Sequence, residues 1–268
     1  MHTFDYHIHT ANSPDSDAPV AAVVDGAISA GLTEIAITDH CDFTWPQQDI
    51  LNPYFDLDKY RDEIRHTREK YRGRINVLFG LELGIRPDLG QVIDEIIDSY
   101  KFDFLIGSMH DIMGVDFYVR EFLRKRPKKQ AYEEYFELLL ASIKACDFDV
   151  LGHMDYLVRY ADYSDPVVHY ADFAAGIDAV LRELIALGRG MEINTSGYAY
   201  GQNQPHPNFS IIRRFYQLGG EIITIGSDAH SPSRLAQNFN NAVQLVKEAG
   251  FTHFATFSER EIKMVKFT

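Results

Sequence analysis

Seven times along its 268 residues the chain repeats one pattern, a short apolar run followed by a longer stretch with helical spacing. The apolar runs fall at 4–9, 34–38, 75–81, 102–107, 148–152, 189–194 and 221–226. The helical stretches lie near 19–30, 56–72, 88–100, 128–146, 170–187, 207–218 and 235–248. Alternation of this kind means parallel strands joined by crossover helices. Seven units suit a closed barrel, and no linker, tandem repeat or composition break divides them, so one α/β domain over 1–268 is expected. Ala30-Gly31, Leu187-Gly188 and Leu218-Gly219-Gly220 read as helix stops. Asp56 and Asp88 read as helix N-caps.

Each apolar run ends in residues that bind metal or phosphate. The first ends His7-Ile8-His9, and side chains two apart on a strand share a face, so both imidazoles can reach one ion. The others end in Thr38-Asp39-His40, Glu82, Ser108-Met109-His110, His153-Met154-Asp155, Asn194-Thr195-Ser196 and Ser227-Asp228-Ala229-His230. Six of the eleven histidines stand at these ends. In barrel enzymes the active site lies at the C-terminal ends of the strands, and a lone histidine there is usually structural, but six with Glu82 and Asp228 make a metal site.

The net charge of −13 argues against nucleic acid as a main partner, because phosphate-backbone binding needs a basic face. No apolar run approaches a membrane span. Residues Met1 to Asp5 lack the basic region and apolar core of a signal peptide. With only Cys41 and Cys146, the expectation is a reducing cytoplasm. Cys41 reads as a small buried residue. Two long connections follow strand ends. Cys41 to Phe55, with Phe43, Trp45, Tyr54 and Phe55, reads as a wall of the barrel mouth, and Asp111 to Lys129 ends in a basic run that reads as a solvated face.

Asp-Tyr-His-Ile-His-Thr, Thr-Asp-His, Gly-Ser-Met-His and Gly-Ser-Asp-Ala-His, in that order, resemble the polymerase-and-histidinol-phosphatase (PHP) superfamily over the whole chain. Gly152 to Tyr160 and Glu192 to Gly197 resemble its stand-alone histidinol-phosphate phosphatases. The resemblance implies a distorted seven-stranded (β/α)7 TIM-like barrel with three divalent transition-metal ions (zinc, iron or manganese) at the C-terminal ends of the strands. By motif match the first ion takes His7, His9, Glu82 and Asp228. The second takes Glu82, His110 and His153. The third takes Asp15, His40 and His230, with Asp17 the nearest competitor for the Asp15 place. The amidohydrolases also open with His-x-His, but they often bridge their metals with a modified lysine, and no strand end here carries one.

Charge arithmetic fits a phosphomonoester. Three divalent ions are balanced by Asp15, Glu82, Asp228, one hydroxide and a phosphate dianion. The expected chemistry is in-line attack by a metal-bound hydroxide. The proton for the leaving group would come from a metal-bound water, Asp39 or a histidine near the mouth such as His206. Arg159 is the expected phosphate clamp. Related phosphatases often carry a second arginine after Asn-Thr-Ser-Gly; here that stretch has none, leaving His206 or Arg234 as substitutes. The function implied is hydrolysis of L-histidinol phosphate, with a broader phosphoesterase or a non-catalytic PHP module as alternatives. A retired site has little reason to keep nine ligands, and the chain has no polymerase portion.

Overall fold

Parallel pairing runs unbroken through the sheet of the computed structural model, which describes residues 4–43, 56–112, 114–201 and 203–267. Its barrel strands are β1 (Phe4–Asp5), β2 (Glu34–Ile37), β3 (Asn76–Gly84), β4 (Phe104–Ser108), β5 (Val150–Leu151), β6 (Gly190–Asn194) and β7 (Ile223–Gly226), each beside the next in sequence. The sheet closes on itself beyond β7, where Tyr6 donates to Ile225 (3.0 Å), Asp228 to His7 (2.9 Å) and His9 to Ala229 (3.0 Å), all through backbone atoms. Among the described residues seven helices of nine residues or more cover the outside: α1 (Val20–Ser29), α2 (Leu57–Lys70), α3 (Gly90–Ser99), α4 (Lys128–Ala145), α5 (Tyr170–Ala186), α6 (Phe209–Gln217) and α7 (Phe239–Ala249). The expected α/β barrel is the fold found. Among the described residues no helix is long and apolar enough to cross a membrane.

Local signals act as read in most places. Gly31, Gly188 and Gly219 take φ of 79°, 67° and 91° after α1, α5 and α6, the left-handed turn that glycine adopts without a Cβ clash. Asp56 caps α2 by accepting from the N–H groups of Asp58 (3.1 Å) and Lys59 (3.2 Å). Asp88 is no cap. Arg86 takes both its carboxylate oxygens, at 3.1 and 3.2 Å, and α3 begins at Gly90 instead. Of the expected aromatic wall only Phe43 falls within the described residues; Trp45, Tyr54 and Phe55 lie outside them. The basic run makes surface ion pairs, Arg124 with Asp162, Arg126 with Glu134 and Lys128 with Asp165.

An antiparallel hairpin that periodicity did not announce follows α7: β8 (His253–Ser258) and β9 (Glu261–Lys266). It seals the N-terminal end of the barrel. Phe254 packs edge-on against Phe4 (5.7 Å between centroids), and Phe257 meets Phe104 (4.8 Å). Tyr6 accepts from the Phe257 N–H (2.9 Å) and donates to Glu34 (2.5 Å). The two-residue turn, Glu259-Arg260, has φ of 49° and 64°, a conformation usually left to Asn-Gly. Long-range contacts hold it. Arg260 binds Asp149 (2.9 Å) and Asp147 (2.8 Å), and its N–H donates to Asp103 (2.9 Å).

Burial raises the Asp149 carboxyl to about 6 even though Arg260 beside it pulls the other way. Removing the guanidinium raises it further above the ordinary 3.8. Stability tied to this proton is fully present below the unfolded value and is lost as pH rises through the folded one. Arg260→Ala is therefore expected to cost about 2–3 kcal/mol at pH 8 and clearly less at pH 4.5. Urea unfolding of both proteins at the two pH values measures this, and an equal loss at both would refute it.

Candidate metal centre

The backbone of β1 continues in hydrogen-bonded form past Asp5, so His7 and His9 both turn inward and are fully buried. Their Nε2 atoms stand 3.0 Å apart. The other ring nitrogens decide what that means. His7 Nδ1 lies 2.5 Å from Glu192 Oε1, a carboxylate that can only accept. His9 Nδ1 lies 3.0 Å from Ser13 Oγ, whose own proton goes to Asp39 (2.6 Å). Each ring is thus anchored through Nδ1, which leaves both Nε2 atoms aimed at one point, the usual way a protein directs histidines at a metal.

Glu82, buried on β3, is the centre of the cluster. Its Oε1 lies 3.1 Å from His110 Nε2 and 2.8 Å from His153 Nε2. Its Oε2 lies 2.9 Å from His40 Nδ1, 3.3 Å from His7 Nε2 and 3.5 Å from His9 Nε2, yet makes no hydrogen bond. A buried carboxylate oxygen among three imidazoles, with none donating to it in hydrogen-bond geometry, is an arrangement that a metal ion could complete. Asp228 adds Oδ1 at 3.2 Å from His9 and 3.7 Å from His7, and its backbone is held at φ 54°, a conformation few non-glycine residues adopt. Asp15 lies 2.9 Å from His230 and 3.6 Å from His40. Asp17, the competitor, is exposed and takes part in none of these contacts. Donor atoms close enough to share an ion occur in five groups among the described residues: His7–His9–Glu82, His7–His153–Asp228, Glu82–His110–His153, His9–His40–His230 and His40–Asp42–His110. All nine expected ligands are brought together, and the donor set fits divalent metal ions.

The cluster's charges point the same way. Burial would raise the Glu82 carboxyl, but the imidazoles of His7, His110 and His40 together hold it well below the usual range. Burial works against charge on His7, His40 and His110, yet the neighbouring carboxylates keep all three well above an ordinary histidine. Burial and the imidazoles of His40 and His230 push His9 down to about 3.

Several residues that orient the donors carried no signal of their own. Glu192 fixes His7 and also accepts from the His153 N–H (2.9 Å) and from Asn194 (3.2 Å). Asp42 accepts from His110 Nδ1 (2.8 Å) and sits 3.4 Å from His40 Nδ1. It stands two residues after His40, where the period of a strand could have marked it.

Three other expectations meet a different geometry. Asp39 is fully buried, and both its oxygens are taken by Thr10 and Ser13, so it holds the turn after β1 instead of facing the cavity as an acid. His206 is buried with Nδ1 on Asp155 (2.6 Å) and its backbone paired to Asn194, which makes it a clasp between the loops after β5 and β6. Arg234 is exposed in the turn Pro232–Arg234, which packs against α1.

Arg159 is placed differently. It lies in the helical turn Tyr156–Tyr160 after β5, with its guanidinium 3.4 Å from the centre of the Tyr200 ring and 5.6 Å from that of Tyr160. It makes no ion pair among the described residues, so ring faces hold it while its charge stays available. Tyr156 of the same turn stacks on His153 at 4.4 Å. A cavity of about 350 Å³ opens beside the cluster, and its lining includes His40, Asp42, His110, Tyr118, Tyr156 and Tyr160.

The PHP domain family matches residues 5–196. The chain belongs to the PHP family. Among curated PHP relatives, a probable histidinol-phosphatase of Clostridium acetobutylicum is 34% identical over 91% of this chain and 92% of its own length. The histidinol-phosphatase of Lactococcus lactis is 33% identical over 98% of this chain and 97% of its own. The crystal structure of the Lactococcus lactis histidinol phosphate phosphatase, complexed with zinc, L-histidinol and phosphate, superposes with a TM-score of 0.88, covering 97% of this chain and 98% of that one, at 33% identity. A putative histidinol phosphatase from Listeria monocytogenes shares the PHP fold at a TM-score of 0.75 and 17% identity, over 89% of this chain and 99% of that one.

Proposed function

We propose that this chain hydrolyses L-histidinol phosphate to L-histidinol and phosphate, using three divalent metal ions. The observation that carries the reading is near-complete structural likeness to a phosphatase holding zinc, L-histidinol and phosphate, in a chain where eight of the nine expected donors fall in groups close enough to share an ion and Asp15 lies 2.9 Å from His230. His7, His9, Glu82 and Asp228 would hold the first ion, Glu82, His110 and His153 the second, and Asp15, His40 and His230 the third. When bound, such ions polarise water and neutralise phosphate charge. Zinc, iron or manganese suits a mixed histidine and carboxylate set.

The chain's own residues do the rest. Glu192 and Ser13 anchor His7 and His9 through Nδ1, so that both Nε2 atoms stay free to coordinate. Burial of Glu82 removes competing water from the shared carboxylate. Arg159 offers a planar fork to two phosphate oxygens, and no carboxylate competes for it. The whole of 1–268 is read as one catalytic unit, because the closing hairpin and the first strand share a core. The partner is a small phosphorylated molecule rather than nucleic acid, in keeping with the net charge of −13. A cytoplasmic setting fits two free, buried cysteines.

Elemental analysis of protein purified without chelators is expected to approach three transition-metal ions per chain, and the same preparation should release phosphate from L-histidinol phosphate with a higher kcat/KM than from nucleoside monophosphates. One ion or fewer in fully active protein would overturn the three-metal assignment. Faster turnover of AMP would overturn the histidinol assignment while leaving a phosphoesterase.

A further inference from the structure

The loop after β1 buries one hydroxyl that reaches two metal positions at once. Ser13 is 3% exposed, and its proton goes to Asp39 Oδ1 (2.6 Å). Its oxygen accepts from the backbone N–H of His40 (3.0 Å) and lies 3.0 Å from His9 Nδ1. A hydroxyl has one proton and two lone pairs, so these three contacts use all it has. His9 stands among the donors read for the first ion and His40 among those read for the third. Glu82 also lies near both rings, but as a donor in its own right.

The surrounding backbone holds the hydroxyl in place. Asp39 takes the Thr10 N–H (2.6 Å) on the oxygen that Ser13 uses and the Thr10 hydroxyl (2.7 Å) on the other. Its carbonyl accepts from the Glu82 N–H (3.1 Å), and the Ser13 N–H closes a turn onto the Thr10 carbonyl (2.9 Å). Two residues on, Asp15 reaches His230 and His40, and Ser16 donates to the His230 carbonyl (3.0 Å). One short loop thus touches every donor of the third position, and Ser13 ties that set to His9. The second position is held by other groups. His110 is oriented by Asp42 (2.8 Å), and His153 by Glu192 through its N–H (2.9 Å) and by the ring of Tyr156 (4.4 Å).

We propose that Ser13 is a positioning residue shared by two metal sites, its hydroxyl fixing the His9 ring for the first ion and the His40 backbone for the third. This rests on the three-ion reading above. Loss of one buried hydroxyl is then felt at two positions and spares the one between His110 and His153.

The test reads each position separately. Full-length zinc-loaded protein is equilibrated with graded chelator and crystallised, and anomalous-scattering maps at the zinc edge give the occupancy of every site. In Ser13→Ala the first and third positions are expected to empty at about 10-fold less chelator than in wild type, as for loss of a bond that orients a ligand, while the second moves less than about two-fold. Thr10→Val separates positioning from a loosened loop. It removes a buried bond to the same Asp39 but touches neither histidine, and all three positions should stay within about two-fold of wild type. Ser13→Cys keeps a weaker donor and acceptor, so it should fall between wild type and Ser13→Ala at the same two positions, and it carries the test if the alanine variant does not fold. An even loss at all three positions, a loss at only one of the first and third, no loss at all, or the same pattern in Thr10→Val would overturn the shared role. Active wild-type protein with one ion or fewer would overturn the three-ion reading itself, a failure visible before any variant is made.

Discussion

Glu82→Gln is expected to lower kcat/KM on the order of 10³-fold, the largest effect of any single substitution in the chain. Glutamine keeps the shape of the side chain but removes the negative charge around which His7, His9, His40, His110 and His153 are gathered. Metal content should fall with activity, because this one carboxylate belongs to two of the five donor groups. Elemental analysis beside the assay separates the possibilities. A variant with full metal content and near-normal rates would show that Glu82 is not shared between ions. Acid should act on the wild type in the same direction. In the metal-free site His7, His40 and His110 hold protons above the ordinary value of 6.5, because the carboxylates beside them outweigh burial. Each proton must leave before its ring binds an ion, so affinity falls as pH falls, and the decline begins above pH 6.5. Metal stripping by a chelator at pH 6 and pH 8 tests the sign.

Arg159→Ala comes next in size. A bidentate charge-assisted contact contributes roughly 1.5–3 kcal/mol, so kcat/KM should fall about 10- to 150-fold. Metal content should not change, since the guanidinium touches no ligand. Arg159→Lys should recover only part of the loss, because an ammonium presents no planar fork. The stack on Tyr200 adds a second measurement: Tyr200→Ala should cost little once Arg159 is already alanine, since its effect runs through the guanidinium. Losses that simply multiply in the double variant would mean that the ring acts elsewhere.

Most of the histidine and carboxylate cluster was readable because its members stand at the ends of short apolar runs, and a barrel gathers those ends at one mouth. Distances along the chain did not matter; only the ends did. The residues that orient the donors were not readable for the opposite reason. Glu192 acquires its task only when β6 comes beside the closing strand and its carboxylate meets His7, a pairing no local pattern encodes. The misreading of Asp39 has a local cause. It neighbours His40, and successive side chains of extended backbone point to opposite sides, so a histidine that faces the cluster turns its neighbour away. The hairpin was invisible because Glu259-Arg260 lacks the turn chemistry that marks hairpins; its left-handed backbone is held by Asp103, Asp147 and Asp149, residues of the connections that lead into other strands. The barrel's apolar periodicity, by contrast, needed no partner to be seen.

The seal at the base of the barrel bears on how the protein is born. His7 and His9 are made long before the segments that complete their strand, which pairs with Ile225 and Ala229, while Tyr6 beside them is bonded to Phe257. Contacts of such sequence separation form late, after their loop-closure entropy has been met. A nascent chain therefore exposes those two imidazoles until the hairpin has been made. Any metal loading there is expected to wait for it, and a chain shortened before Phe257 would carry the same donors without the closure that gathers them.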